Sequence, residues 1–303
     1  MNACAARGVG ALPHQELREL ALLYRQTAAD LSIARDDPAS AALARYLNTL
    51  LGRAHNVIYA GNPEKGRGII HFYTRVFPGV CRQTLPYTLT ALAIFACGMF
   101  GGLVIAWSDP GFERLILGGA MLDTIGRGEM WTHSIVAIKP LAASAIMKNN
   151  LSVSFAAFGG GILAGLGTVY LMFFNGLLMG VIAVACDRAG MSLSLWSFVA
   201  PHGVLELPAI FIAGGAGLLI GKGMLVPGLQ SRRDSLAEAS ALAVQLLLGV
   251  IPLLIVAGTI EGFVSPSSVS VATKFTIAAS GLILLAAYVF FVQGRPDIRR
   301  ADL

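Results

Sequence analysis

The chain has 303 residues, of which 55% are hydrophobic and only 13% are charged, and its mean hydropathy is +0.70. Because soluble domains carry about 25% charged residues, this composition excludes an ordinary soluble enzyme and indicates a polytopic membrane protein. The net charge of +5 fits the basic loops that membrane proteins share. Since no RNA- or DNA-binding motif accompanies this charge, we expect no nucleic-acid partner.

Residues 1–85 predict a cytoplasmic helical leader. They hold ten of the 22 Lys and Arg residues and no long apolar run. Apolar residues recur at helical spacing in 14–31 and in 43–57, which predicts a helical hairpin. Residues 69–83 alternate arginines with apolar side chains and are typical of a basic amphipathic segment at the lipid headgroups. The first residues lack the apolar core of a secretory signal, so we expect the N-terminus in the cytoplasm.

Residues 86–303 predict an all-α transmembrane helical bundle of about six spans, with a broken or re-entrant span as an open alternative. The segment 108–150 carries too many charges for a span, and we expect it to form an amphipathic loop outside the cytoplasm. The excess of Lys and Arg in the remaining loops places both termini in the cytoplasm of a bacterium, with the protein in the inner membrane. The predicted spans are 86–107, 151–173, 177–198, 203–221, 239–260 and 272–292.

Two interruptions divide the apolar stretch between residues 151 and 221. Asn175-Gly176 predicts a tight turn between the second and third spans. Without this turn, Lys222, Arg232 and Arg233 would lie outside, against the charge rule. Pro201 predicts a second break, just before the fourth span.

His202 and Glu206, in the stretch "VAPHGVLELP", form an intramembrane polar pair. They are four residues apart, so on a helix they share a face. An unpaired carboxylate in hydrocarbon is costly, which indicates a position inside the bundle or in a wet cavity. The pair does not match the HExxH pattern of zinc proteases, and we expect no metal, no cofactor and no catalytic residue. A fixed structural kink and a substrate or ion path remain as alternatives.

The other polar residues in the apolar part have simpler interpretations. Asn149 and Asn150 are predicted to cap the second span, and Glu261 to end the fifth span in contact with solvent. Four scattered cysteines show no metal-binding spacing and are interpreted as structural thiols. Glycine pairs at four-residue spacing indicate close helix packing within one bundle, with a homodimer face as the alternative; they are Gly98/Gly102, Gly161/Gly165, Gly176/Gly180 and Gly217/Gly221.

Four motifs resemble the stage II sporulation protein M family of integral membrane proteins. They are "MKNNLSVSF", "FFNG", "PHGVLELPAI" and "AGTIEGFVSP", in the family's order and spacing, and "LYRQTAADLSIAR" is similar to the leader of its long, non-sporulation branch. The motif residues fall on Asn149, Asn150, Asn175, Gly176, Pro201, His202, Gly203, Glu206 and Glu261.

The resemblance implies a membrane anchor, because the founding member holds two peptidoglycan-degrading enzymes during engulfment in sporulating bacteria. It implies no catalytic role for the motif residues. We therefore expect a non-enzymatic membrane scaffold in cell-envelope remodelling, whose partners are membrane lipids, other membrane or envelope proteins and a possible second copy of the chain. The alternatives are a transporter or lipid-translocating protein that uses His202 and Glu206, and an intramembrane metalloenzyme.

Overall fold

The computed structural model describes residues 13–37, 40–59, 67–129 and 139–292, and every regular element among them is helical. The prediction of an all-α membrane protein is confirmed. The chain divides into two compact units, Met1–His71 and Phe72–Leu303. Cys4, residues 130–138 of the predicted outer loop, and the basic tail at 293–303 lie outside the described residues.

The first unit contains a helical hairpin, as the sequence predicts. Helix α1 spans His14–Asp36 and α2 spans Ala41–Tyr59. Helix α1 ends because Asp37 precedes a proline and takes an extended conformation, φ −106° and ψ 111°. Arg35 Nη2 donates to Asn48 Oδ1 at 3.1 Å, which links the two helices. A short helix α3, Arg67–His71, closes the described part of this unit.

The second unit is a helical bundle preceded by a π-helical turn at Phe72–Val76. Side chains cap the N-termini of two of its helices. The Asp109 carboxylate accepts from the Gly111 amide before Pro110–Leu117, and Ser231 Oγ accepts from the Asp234 amide before Arg232–Phe263. Its helices are α4 (Phe77–Gln83), α5 (Leu85–Ser108), α6 (Pro110–Leu117), α7 (Gly119–Gly126), α8 (Lys139–Gly159), α9 (Leu166–Arg188), α10 (Ser192–Leu225), α11 (Arg232–Phe263) and α12 (Val271–Phe291).

Five of the described helices are long and apolar enough to cross a membrane: α5, α9, α10, α11 and α12. Helix α8 falls short by composition but packs between α10 and α11. We call the end of the bundle where α5, α9 and α11 finish the distal end, and the opposite end the proximal end. The chain runs between these ends in α8 and in the five helices that qualify as spans, so five of the about six predicted spans have a qualifying helix, and two of the predicted boundaries are wrong.

The turn predicted at Asn175-Gly176 is wrong. Asn175 lies inside α9, where its Nδ2 donates to the Leu171 carbonyl at 2.8 Å, and the helix continues past it. The chain reverses instead at a 3-10 turn, Gly160–Leu163, followed by Ala164 and Gly165 with φ of 54° and 85°. Glycine adopts the left-handed region at the lowest conformational energy. The glycine-rich stretch "GGGILAG" therefore forms a turn more readily than Asn175, whose side chain can hydrogen-bond within its own helix.

The break predicted at Pro201 is also wrong. Helix α10 continues through Pro201 and Pro208 for 34 residues, a length of about 51 Å. An interior proline costs about 3 kcal/mol in an isolated helix. Helix α10 is the most buried of the five spanning helices, and contacts with α5, α8, α11 and α12 on its sides offset that cost.

Glycines bring the backbones of α5 and α9 into direct contact. A Cβ at Gly98 would lie 2.0 Å from the Phe173 carbonyl oxygen, and one at Gly176 would lie 2.0 Å from that of Phe95. Gly102 and Gly180 show the same kind of approach one turn further on. At the proximal end, Gly161 and Gly165 of the turn meet Gly217 and Gly221 of α10. All four glycine pairs thus contact other helices of the same chain.

The segment predicted to lie at the headgroups contributes to the core. Phe77 is 1% exposed and occupies the space left by Gly249 on α11. Arg82 donates to the carbonyls of Val289 and Val292 at the end of α12, which have no partner within that helix. Helix α4 is therefore anchored to α11 and α12.

Candidate functional site

His202 is buried in the distal half of α10. Its Nδ1 lies 2.9 Å from Ser265 Oγ, just beyond the end of α11. Its Nε2 lies 3.8 Å from Glu261 Oε1, which is too long for a hydrogen bond. The ring of Phe198 packs edge-on against the imidazole with centroids 5.6 Å apart. The histidine therefore has one ring nitrogen engaged and the other facing a carboxylate.

Glu206 and Glu261 approach His202 from α10 and α11. One donor atom from each of the three side chains lies within 4.8 Å of the other two. The Glu261 side chain is only 11% exposed, and Glu206 Oε2 is buried with no hydrogen-bond partner among the residues that the structure describes. We call His202, Glu206 and Glu261 the polar triad.

The triad corrects two predictions. Glu261 is not solvated at the end of its span; it faces His202 inside the bundle. Asn150 does not cap a helix, because α8 begins at Lys139, and its Nδ2 instead lies 3.5 Å from Glu261 Oε2. Asn149 stays at the exposed side of α8, where its Nδ2 donates to Asn150 Oδ1 at 3.3 Å. The sequence paired His202 with Glu206 but offered no spacing that joins residues of three helices.

Two residues that the sequence analysis did not select support the triad. Ser265 holds the imidazole, and the Ser265 carbonyl accepts from Lys274 Nζ at 2.7 Å. Ser265 is the serine of the "IEGFVSP" motif, which was the available signal, whereas Lys274 lies eight residues after the motif and had no such signal. Pro201 and Gly203 flank His202 and are buried, and a Cβ at Gly203 would meet only the Val199 side chain at 3.2 Å.

A separate ion pair lies at the distal end. Arg188 Nη1 donates to Glu113 Oε1 at 2.6 Å, and Glu113 is 8% exposed. Arg188 Nη2 also donates to the carbonyls of Ala106 and Trp107, which are unpaired at the end of α5. One guanidinium therefore connects α5, α6 and α9.

The remaining candidates do not join either group. Asn175 bonds within α9, and the glycine pairs serve helix contacts. Cys81 and Cys186 are buried and Cys97 is exposed, and none of the three forms a disulfide. Burial raises the pKa of the Cys81 thiol to about 12, which keeps it protonated and unreactive at neutral pH.

The donor set of the triad is able to bind a cation or to hold a proton between its carboxylates. In the described part of the chain it is the one group of three or more His, Cys, Asp and Glu side chains whose donor atoms lie close enough together to share a metal ion. Ser265 Oγ, 2.9 Å from His202 Nδ1, also places a hydroxyl beside the imidazole.

Comparison with known proteins agrees with the family motifs found in the sequence. The family model "Stage II sporulation protein M" matches residues 91–266, more than half of the chain, and a "Domain of unknown function (DUF8413)" matches residues 3–60. The chain is 31% identical over 123 residues to "Uncharacterized protein MJ0793" of Methanocaldococcus jannaschii, covering 40% of this chain and 69% of that one. No solved structure gives a significant match. This chain is an integral membrane protein that belongs to the stage II sporulation protein M family.

Proposed function

We propose that this protein is a non-enzymatic membrane scaffold that recruits partner proteins for remodelling of the cell envelope. The observation that carries the proposal is the packing of the short helices α6 and α7 onto the distal end of the bundle, where they form a surface that we call the distal platform. Helices that only connected two spans would not need fixed positions. A surface that is already ordered binds a partner at a lower entropy cost than a flexible loop does.

The platform is held by apolar packing and by the Arg188–Glu113 ion pair. Phe112, Ile116 and Leu117 of α6 pack against a buried cluster of α5 and α9. Ile125 of α7 is 2% exposed. The opposite faces carry Arg114, Leu115, Asp123 and Arg127 toward solvent, and Leu115 is 78% exposed. An exposed apolar side chain among charges of both signs is a suitable contact for another protein.

The helical hairpin of the first unit offers a second surface. Its two helices expose large apolar side chains, at 51–71% of their area, that a lone soluble hairpin would normally cover; these are Leu22, Leu23, Ile33, Leu43 and Tyr46. We propose that envelope proteins, or a second copy of the chain, cover part of this surface. The close backbone contacts between α5 and α9 further support a fixed framework.

Co-purification tests the platform. Tagged protein is extracted in mild detergent after cross-linking, and the recovered proteins are compared for the natural chain, Leu115→Glu and Leu229→Glu. Leu229 is fully exposed at the proximal end, so its variant is a matched control for charge and exposure. We expect Leu115→Glu to lose at least one reproducible partner that Leu229→Glu retains, at equal membrane abundance. Recovery of no partner, or equal recovery with all three proteins, would contradict the proposal.

We also propose that the proximal end faces the cytoplasm of a bacterial inner membrane. Lys222, Arg232 and Arg233 flank the proximal connection between α10 and α11, whereas the distal connection at 264–270 has no Lys or Arg. Short basic loops stay on the cytoplasmic side. Alkaline phosphatase fused after residue 228 should be inactive, and after residue 267 active. The reverse pattern would exclude this orientation.

A further inference from the structure

The polar triad combines donor atoms that a first-row transition metal prefers. Zinc binds imidazole nitrogen at about 2.0–2.1 Å and carboxylate oxygen at about 2.0–2.2 Å, so two donors of a tetrahedral site lie about 3.4 Å apart. The His202 Nε2 to Glu261 Oε1 distance of 3.8 Å is close to that separation, and all three donors lie within 4.8 Å. Small side-chain rotations would bring them around one ion.

The two carboxyl groups of the triad also favour binding of a cation. Two carboxyl groups share a mostly buried space, and among the described residues neither forms an ion pair with Lys or Arg. Lys274, the nearby cation, directs its Nζ to the Ser265 carbonyl. Glu206 Oε2 has no hydrogen-bond partner in the described part of the chain. A buried carboxylate without a partner is costly, whereas one that ligates a metal is compensated.

The neighbouring residues orient the donors as in metal sites. Ser265 Oγ lies 2.9 Å from His202 Nδ1 and orients the ring, and in the tautomer with the proton on Nδ1 the Nε2 atom is able to ligate a metal on the side of Glu261. Asn150 holds the second oxygen of Glu261 from a third helix. Metal-binding histidines usually have their other ring nitrogen hydrogen-bonded in this way.

We propose that His202, Glu206 and Glu261 bind one divalent transition-metal ion of the Zn²⁺ class. His202 Nε2 and one oxygen of each glutamate are the protein ligands, and the ion connects α10 to α11 near the distal end. One nitrogen and two carboxylates suit such an ion better than Ca²⁺, which takes six to eight oxygen ligands. The site goes beyond the proposed scaffold role and does not depend on it.

The test uses the full-length protein in detergent. It is stripped with a chelator, incubated with equimolar Zn²⁺, passed through a desalting column and analysed for metal by elemental mass spectrometry. We expect about one Zn²⁺ per chain, and near zero for Glu206→Gln and Glu261→Gln. Removing the supporting hydroxyl with Ser265→Ala should weaken binding about 10- to 100-fold. Glu238→Gln, at an exposed glutamate of α11, and His71→Ala, at an exposed histidine, should bind as the natural chain does.

Thermal unfolding separates loss of the metal from loss of the fold. With chelator present, Glu206→Gln should be at least as stable as the natural chain, because it removes one of two adjacent carboxylates. Added Zn²⁺ should raise the melting temperature of the natural chain only. Co²⁺ in its place should give the visible absorption of a low-symmetry nitrogen and oxygen site. Metal content equal in the natural chain and Glu206→Gln, or no metal retained by the natural chain, would overturn the proposal.

Discussion

Replacing Gly176 with alanine should force α5 and α9 apart. The added Cβ would lie 2.0 Å from the Phe95 carbonyl oxygen and 2.9 Å from the Met99 amide nitrogen, both backbone atoms that no rotamer change can move. An ordinary contact begins near 3.4 Å, so the helices must separate by about 1.4 Å at this point. A gap of 0.5–1 Å already forfeits a quarter to a half of each dispersion contact.

We therefore expect Gly176→Ala to destabilise the protein by about 3 kcal/mol, the upper end of the usual overpacking cost. The assay is thermal unfolding in detergent, followed by the loss of monodisperse protein on gel filtration. Gly101→Ala is the matched control: it lies on α5 and a Cβ there meets nothing within 4 Å. It should be neutral or stabilising by up to about 1 kcal/mol, because alanine favours the helix. Equal melting temperatures for the two variants would refute the backbone-contact argument.

Three further predictions concern residues outside the triad. Arg188→Ala should destabilise the protein by about 2–3 kcal/mol because it leaves Glu113 buried without its partner. In a double-mutant cycle followed by thermal unfolding, adding Glu113→Gln should recover part of this loss. Additive losses of stability would argue against the ion pair. Arg82→Ala should destabilise the protein by about 1–3 kcal/mol through its lost bonds to the end of α12, seen as a lower melting temperature, while Arg75→Ala, at an exposed arginine of the same segment, should leave the melting temperature unchanged. With the other three cysteines replaced, Cys81 should resist maleimide at pH 7–8 because burial raises its pKa to about 12, and it should react after denaturation at the same pH. Rapid labelling of the folded protein at pH 7 would show that it is not buried.

The fold class was predictable because composition and apolar run length act over whole segments. Helix boundaries were less predictable, since they depend on competition between local turns. Asn175-Gly176 satisfies a turn pattern, but its asparagine finds an acceptor one helical turn back, and the glycines at 160–165 form the turn instead. The consequence is a shift of the second and third spans toward the N-terminus.

The site was half predictable. His202 and Glu206 share a helix face, which a four-residue spacing reveals. Glu261 and Asn150 come from helices α11 and α8, 111 residues apart in sequence, and only packing brings them together. Glu261 lies two residues before the end of α11, a position that predicts contact with solvent when the arrangement of the neighbouring helices is not known.

The contact between Asn150 and Glu261 has a consequence for biosynthesis. Helix α8 leaves the ribosome long before α11, and it is less apolar than the five helices that qualify as spans. Until α11 is made, the Asn150 amide has no partner on that helix, so α8 should remain loosely inserted as a hairpin with α9. In nascent chains arrested before residue 261, a cysteine in place of Ser154, which is buried in α8 one turn after Asn150, should be open to aqueous reagents, and release of the full chain should protect it. Synthesis of α11 would then be the step that commits α8 to the bilayer.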